Sequence, residues 1–223
     1  INAAKIGDGF AAKLAGDALS GEVTWLPRGY KAGGKLSARL RNLHLAKDTP
    51  QPQQPPSPSQ PAKPAAQDKD KPADMLNPGA IPALEIAIES LQVKGNPAGR
   101  FELVGYPDGK DWRLRRLNIT NPDGSLAGDG IWLTVPGGTK TEVNLQFALT
   151  DAGKTLARSG YPDTVKGGSG KLAANLSWDG TPGKFNYASL NGSLKLDTGK
   201  GRFLKMDPGA GKLLSILSLQ ALP

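Results

Sequence analysis

His44 is the single histidine of the 223-residue chain and the first candidate for acid–base chemistry. It stands between Leu43 and Leu45 on the polar side of a strand-like segment, where a solvated imidazole is the simpler interpretation. A Ser–His–acid triad would have to use it, yet no serine has the Gly-Xaa-Ser-Xaa-Gly context of a nucleophile elbow. The nearest sequence, Gly168-Ser-Gly170, is typical of a turn. We therefore expect no catalytic residues.

The sequence contains no complete motif for a phosphate, metal or cofactor site. Gly211-Lys212 resembles part of a phosphate-binding loop, but that loop needs glycine where Met206 stands and Ser or Thr where Leu213 stands. The chain has no cysteine, which excludes disulfides and thiolate metal sites. Other acidic residues lie in turns or a Pro-rich segment without calcium-loop spacing: Asp108, Asp111, Asp68, Asp70 and Asp74. We expect neither a metal site nor a cofactor.

The net charge of +8 comes from lysines and arginines scattered along alternating segments. They do not cluster with aromatic residues as in nucleic-acid-binding modules, so we expect no nucleic-acid partner. A solvated basic surface explains the charge, and attraction to anionic lipid headgroups is a lesser alternative. No run of 18 apolar residues appears, so the sequence predicts no transmembrane helix.

Apolar and polar residues alternate along most of the chain, which predicts β-strands. The alternation slips by one residue at Arg41-Asn42, and the same slip recurs within 84–93 and within 112–119. An extra residue that restores the inward phase indicates a β-bulge, and repeated bulges curl a sheet. Residues 36–45 also admit a helix, but their intervening apolar positions fit it poorly.

The strands are predicted as a long antiparallel meander that curls into an open groove. They cover residues 10–14, 19–26, 35–45, 84–93, 99–106, 112–120, 125–133, 141–149, 171–178, 187–196 and 202–204. Trp25, Trp132 and Trp178 each end a strand that turns into the next, which indicates equivalent hairpins. A short helix is expected near 151–160, capped by Asp151.

Residues 48–80 hold nine of the 19 prolines and no aromatic residue. Such a segment cannot bury enough apolar surface to fold, so we predict a disordered insertion. The chain then divides into strands at 1–47, the insertion at 48–80 and a β-groove region at 81–223. We expect one interrupted sheet, because residues 35–45 and 84–93 share the same slipped pattern.

A second helix is predicted over residues 208–222. Asp207 can act as its N-cap, and Pro208 is favoured at the first helical position. Most of the circumference of this helix is apolar, so something apolar must receive it. It would be either a plug of the groove or an anchor, through Leu213, Leu214, Leu217 and Leu222.

The C-terminal sequence Gly201-Arg-Phe-Leu-Lys-Met-Asp-Pro-Gly-Ala-Gly-Lys-Leu-Leu214 and the sequence Leu217-Ser-Leu-Gln-Ala-Leu-Pro223 resemble the C-terminal part of the AsmA-like superfamily, most closely its YhdP-like branch. Residues 156–163 and 167–170 support the likeness, which covers about 81–223. The resemblance implies a β-groove segment of a long periplasmic protein, anchored in the inner membrane of a Gram-negative-type bacterium. We expect this chain to be a piece of such a protein.

The resemblance implies that the groove carries phospholipid between the inner and outer membranes, without catalysis. The alternative is a structural or docking module that binds an envelope protein or the outer membrane through its C-terminal helix. Whether the apolar face lines an open trough or the core of a closed sandwich stays open at this point. The candidate trough residues are Leu36, Leu40, Leu43, Leu84, Ile86, Ile88, Leu91, Phe101, Leu103, Leu114, Leu117, Val143, Leu145, Phe147, Leu172 and Leu176.

Overall fold

The computed structural model of the chain describes residues 2–27, 33–45, 77–158, 163, 165–199 and 201–203. These residues form a mainly β structure with one α-helix, α1 (Ala152–Arg158), and a short 3-10 helix (Pro78–Ala80). The strands are β1 (Asn2–Ile6), β2 (Gly9–Leu14), β3 (Leu19–Leu26), β4 (Lys35–Leu45), β5 (Ala83–Val93), β6 (Asn96–Asp108), β7 (Asp111–Asn121), β8 (Gly124–Val135), β9 (Gly138–Leu149), β10 (Val165–Gly167), β11 (Gly170–Asp179), β12 (Asn191–Thr198) and β13 (Gly201–Phe203).

Eleven strands form one sheet, in the order β1-β2-β3-β4-β5-β6-β7-β8-β9-β11-β12. This sheet follows the chain, and among the described strands β1 and β12 are its two edges, so it is not closed into a barrel. β10 and β13 pair separately in a two-stranded sheet. The predicted mainly β, open architecture is confirmed, and so is the short helix near residue 151. The predicted helix over 208–222 lies outside the described residues.

The predicted slips are register shifts in the structure. Arg41 is skipped on β4, because Leu40 pairs with Gly21 and Asn42 with Ser20. β5 shifts between Ile88 and Leu91 against β6, and β7 shifts between Leu114 and Leu117 against β8. A bulge adds one residue to one strand and strengthens its local twist, so shifts in several strands bend the sheet.

The pairing of β4 with β5 is parallel, whereas every other neighbouring pair in the large sheet is antiparallel. The chain between these two strands includes residues 46–76, which lie outside the described part. Lys35 and Glu85 join the two strands through a 2.6 Å ion pair. The two strands therefore belong to one sheet. The division of the chain at residues 47 and 81 stays a prediction.

The best-packed region of the sheet lies at β4 and β5, where Ala38, Leu40, Ile88 and Leu91 form a buried cluster. Leu14, Val23, Leu43, Ile86, Ala98 and Phe101 pack around it from the neighbouring strands. The cluster explains why the five strands β2 to β6 remain aligned across the bulges, since each contributes apolar side chains to it.

α1 is fixed at one end of the sheet by the turn between β7 and β8. The Asp151 carboxylate accepts a 3.0 Å hydrogen bond from the backbone N–H of Lys154, which is the expected N-cap. This hydrogen bond holds the pKa of Asp151 below its ordinary value. At the other end of α1, Arg158 donates to the buried Asp123 carboxylate. Side-chain hydrogen bonds therefore fix both ends of the helix.

Candidate functional site

One row of side chains crosses the entire large sheet on a single face. We call it the middle row, and its members are register partners from each of the eleven strands in turn. No member is polar. Because partners across a ladder point to the same face, the row is a continuous apolar line across the sheet. It consists of Ala3, Ala12, Val23, Ala38, Ile86, Leu103, Leu117, Gly128, Leu145, Ala174 and Leu194.

Two further apolar rows flank the middle row, and each crosses the ten strands from β2 to β12 of the large sheet. The first row consists of Phe10, Trp25, Leu36, Leu84, Gly105, Leu114, Gly130, Val143, Leu176 and Gly192. The third row consists of Leu14, Gly21, Leu40, Ile88, Phe101, Ile119, Leu126, Phe147, Leu172 and Leu196. We call the surface made by these three rows the apolar face.

All sixteen predicted trough residues lie on this side of the sheet. Fourteen belong to the three rows, and Leu43 pairs with Leu91 beyond the bulges. That these residues bind lipid stays a prediction. The four residues predicted for the C-terminal helix, Leu213, Leu214, Leu217 and Leu222, lie outside the described part of the chain.

The apolar face becomes more exposed from its centre toward β12. Ile88 is 3% exposed and Leu40 is 8% exposed, whereas Leu194 is 42% and Leu196 is 51% exposed. The inner leucines of a two-sheet sandwich would be buried along the full length of the strands. In the described residues the face near β12 has no second sheet over it, which favours the open groove over the closed sandwich.

Sequence reasoning missed the small residues of the apolar face. Gly128 and Gly130 on β8 face Leu145 and Val143 on β9. A β-carbon at residue 128 would lie 2.8 Å from Cδ2 of Leu145, so the larger neighbour fills this space. Only the register shows that these glycines belong to the face, because a glycine carries no hydropathy signal of its own.

A buried row of three tryptophans and one threonine borders the apolar face at one end of the strands. Trp112, Trp132, Thr141 and Trp178 are successive register partners, and all four are buried. The predicted hairpins ending at Trp25, Trp132 and Trp178 are confirmed, and Trp112 joins them from the start of β7. Trp112 Nε1 donates to the carbonyl of Pro82 at 3.1 Å, and Trp178 Nε1 donates to that of Thr181 at 3.1 Å.

α1 borders the face at the other end. A cleft of about 360 Å³ lies there, and both Val93 of β5 and Leu149 of β9 line it. In a flat sheet these strands would be roughly 19 Å apart, because neighbouring strands are about 4.8 Å apart. The shared cleft shows that the sheet curls toward its apolar side. We call this feature the helix-end cleft.

The opposite side of the sheet is polar. Arg39 of β4, Glu102 of β6 and Asn118 of β7 lie in one row there, with Ala87 of β5 between Arg39 and Glu102. The Lys13–Glu22 ion pair joins β2 to β3, and the Lys140–Glu142 ion pair lies along β9. On this side the hydrogen bond and charge of Lys35 hold the pKa of Glu85 below its ordinary value. The sheet is thus amphipathic along its whole width.

The described residues offer little for other chemistry. His44 is exposed and lies on the polar side, as the sequence predicted. Among these residues no three His, Asp or Glu side chains gather closely enough to hold a metal ion. α1, with seven residues, is far too short to cross a bilayer, and no other described helix is longer. The apolar face is therefore the candidate functional site.

Sequence comparison relates the chain to a curated protein and to a protein family. A curated relative, the intermembrane phospholipid transporter YhdP of Escherichia coli (strain K12), is 29% identical over 98 residues. The match covers 44% of this chain and 8% of that transporter. No solved structure matches the chain significantly. The sequence model of the YhdP protein family matches residues 1–223, and the chain therefore belongs to the YhdP protein family.

Proposed function

We propose that the apolar face carries the acyl chains of phospholipids. The observation that carries this proposal is the middle row, in which all eleven strands contribute an apolar or glycine residue. A core that only has to stabilise the fold does not need an apolar line that continues to a half-exposed edge strand. A path along which hydrocarbon chains move does need such a continuous apolar line.

Transfer of each methylene from water to an apolar surface is favourable by about 0.8 kcal/mol. The face supplies such a surface on every strand, so a chain that moves across the strands meets similar residues at each step. Headgroups would stay at the strand ends, where the chain turns and polar residues gather. Such a path needs no catalytic group and no cofactor.

The finer proposal is a segment of a bridge that passes phospholipid across the periplasm between the inner and outer membranes. Its support is family membership together with the name of the relative from Escherichia coli. The chain aligns with only 8% of that relative, so a complete path would need many further strands. Anchoring in the inner membrane and contact with either membrane are proposed for the rest of such a protein.

The docking alternative of the sequence analysis rests on the predicted C-terminal helix. Its residues lie outside the described part of the chain, and no described feature favours an envelope protein over lipid as the partner. The apolar face, by contrast, is directly described. We therefore retain phospholipid transport as the function.

The test compares two neighbouring positions on β9 that point to opposite sides of the sheet. Leu145 belongs to the middle row, whereas Gln146 is exposed on the polar side. Lipids that co-purify with the chain would be extracted and measured by mass spectrometry. We expect Leu145→Asp to reduce bound phospholipid strongly and Gln146→Asp to leave it unchanged. Equal lipid content in folded samples of both variants would contradict the proposal.

A further inference from the structure

The helix-end cleft combines an apolar floor with a cationic mouth. Its floor comes from strands of the apolar face, chiefly through Ile119, Leu126 and Phe147. Two charged residues line the cleft, Lys94 and Arg158, and both are cations. No carboxylate lines it. A cleft with this lining suits a molecule that is apolar along its length and anionic at one end.

Lys94 is held at the mouth by the geometry of its turn. Lys94 and Gly95 both have positive φ, 54° and 82°, and they connect β5 to β6. This is the two-residue hairpin geometry that fits the twist of antiparallel strands. The backbone N–H of Lys94 also donates to the carbonyl of Leu45 at 2.7 Å. Lys94 is exposed, and among the described residues no carboxylate forms an ion pair with its ammonium group.

Arg158 is oriented by a buried carboxylate. Its Nε donates to Oδ2 of Asp123, and Asp123 is 5% exposed. This contact fixes the arginine at the end of α1 and neutralises Asp123. The terminal N–H groups of the guanidinium have no partner among the described residues, and such groups bind phosphate oxygens well. Asp123 is thus a positioning residue for Arg158.

We propose that the helix-end cleft binds the phosphate of a glycerophospholipid at Lys94 and Arg158, with one acyl chain along Leu126 and Phe147. This inference rests on the proposed function. The volume of about 360 Å³ is at the lower end of the range of about 300–1,000 Å³ for ligand pockets. The cleft therefore holds part of one lipid, and the cationic lining selects a headgroup with net negative charge.

The test uses two fluorescent phospholipids with the same acyl chains and different headgroups. Phosphatidylglycerol is anionic, and phosphatidylethanolamine is zwitterionic. Energy transfer from the tryptophans of the 223-residue chain to an acyl-linked fluorophore would give a Kd for each lipid. Removal of one charge-assisted hydrogen bond to phosphate costs roughly a factor of ten in affinity. We expect Lys94→Gln to weaken phosphatidylglycerol binding by about that factor and to reduce the headgroup preference.

Lys154→Gln is the matched control, because Lys154 is an exposed lysine of α1 that does not line the cleft. It should leave both affinities unchanged. Phe147→Ala should weaken both lipids to a similar degree, since it shortens the acyl path and leaves the charge of the cleft unchanged. Arg158 is not replaced, because its loss would leave a buried carboxylate without a partner.

The outcomes separate this inference from the proposed function. If both lipids bind equally, or if Lys94→Gln behaves like Lys154→Gln, the headgroup site is wrong while lipid binding stands. If inorganic phosphate alone binds the cleft as tightly as phosphatidylglycerol does, the acyl chain contributes nothing, the cleft is a simple anion site, and the lipid assignment is wrong. If neither lipid binds the unaltered chain, the proposed function fails as well.

Discussion

The indole ring of Trp112 lies against the backbone of Gly105 on the neighbouring strand, in the space that a side chain at residue 105 would need. From there its Nε1 reaches the carbonyl of Pro82, just before β5. One side chain thus covers β6 and contacts the start of β5. The ring of Trp112 on β7 therefore requires a glycine at position 105 of β6.

We predict that Gly105→Val displaces this ring and destabilises the fold. Overpacking of a filled site costs about 1–3 kcal/mol, and the buried indole would also lose its hydrogen bond. Urea unfolding followed by tryptophan fluorescence would measure the change in the free energy of unfolding. Gly138→Val is the control, because nothing lies within 4 Å of a β-carbon there. Equal stability of the two variants would show that the ring does not need the glycine.

A photo-crosslinking residue should distinguish the two sides of β11. Leu172 belongs to the third row, whereas Ala173 points to the polar side. Because successive residues of a strand alternate between faces, we expect a crosslink to phospholipid from position 172 and none from position 173. The measurement is mass spectrometry of the crosslinked chain after incubation with phospholipid vesicles. Crosslinks of equal yield at both positions would contradict the assignment of the lipid path to the apolar face.

Acid should weaken the ion pair between the parallel strands. Lys35 donates a hydrogen bond to Glu85 and lowers its pKa, so the folded state favours the charged carboxylate. The resulting stability is present above the ordinary Glu pKa of about 4.3 and is lost as pH falls through the lower folded value. Both side chains are more than a third exposed, which limits the effect to less than about 1 kcal/mol.

The corresponding variant is Glu85→Gln. At neutral pH we expect it to unfold at slightly lower urea concentration than the unaltered chain, and below about pH 4 the difference should shrink. Glu89→Gln, at an exposed carboxylate of the same strand, is the control. A difference between Glu85→Gln and the unaltered chain that stays constant from pH 7 to pH 3 would show that this ion pair does not contribute.

Most of the apolar face could be predicted from the sequence, because side-chain alternation is a local property of each strand. The slip at Arg41-Asn42 even located a bulge that keeps Leu40 and Leu43 on one side. Pairing direction was not predictable in this way. Nothing in the alternation of β4 or β5 distinguishes a parallel from an antiparallel partner, so the prediction of a uniformly antiparallel meander was wrong for this pair.

Contacts between distant residues were also beyond the sequence. The sequence predicts only that Trp112 belongs to a strand, because the contact of its ring with Gly105 depends on the register of β6 and β7. Asp123 lies between the predicted strands 112–120 and 125–133, and its contact with Arg158 joins residues that are 35 positions apart. Nothing local to Asp123 predicts that the curled sheet brings α1 to it.

The last prediction concerns this contact between Asp123 and Arg158. The backbone carbonyl of Asp123 accepts hydrogen bonds from the N–H of Thr150 at 2.9 Å and of Asp151 at 3.2 Å, while its carboxylate binds Arg158. We expect Asp123→Ala to release α1 from the sheet, because the backbone contacts alone do not hold the end of the helix. Loss of a hydrogen bond to a charged group costs about 1.5–3 kcal/mol.

Hydrogen exchange followed by mass spectrometry should show faster exchange in α1 and unchanged exchange in β4 and β5. Asp129→Ala, an exposed aspartate of β8 that bonds Asn144, should leave α1 unaffected. If α1 exchanges at the same rate in both variants, the carboxylate is not what holds the helix over the cleft.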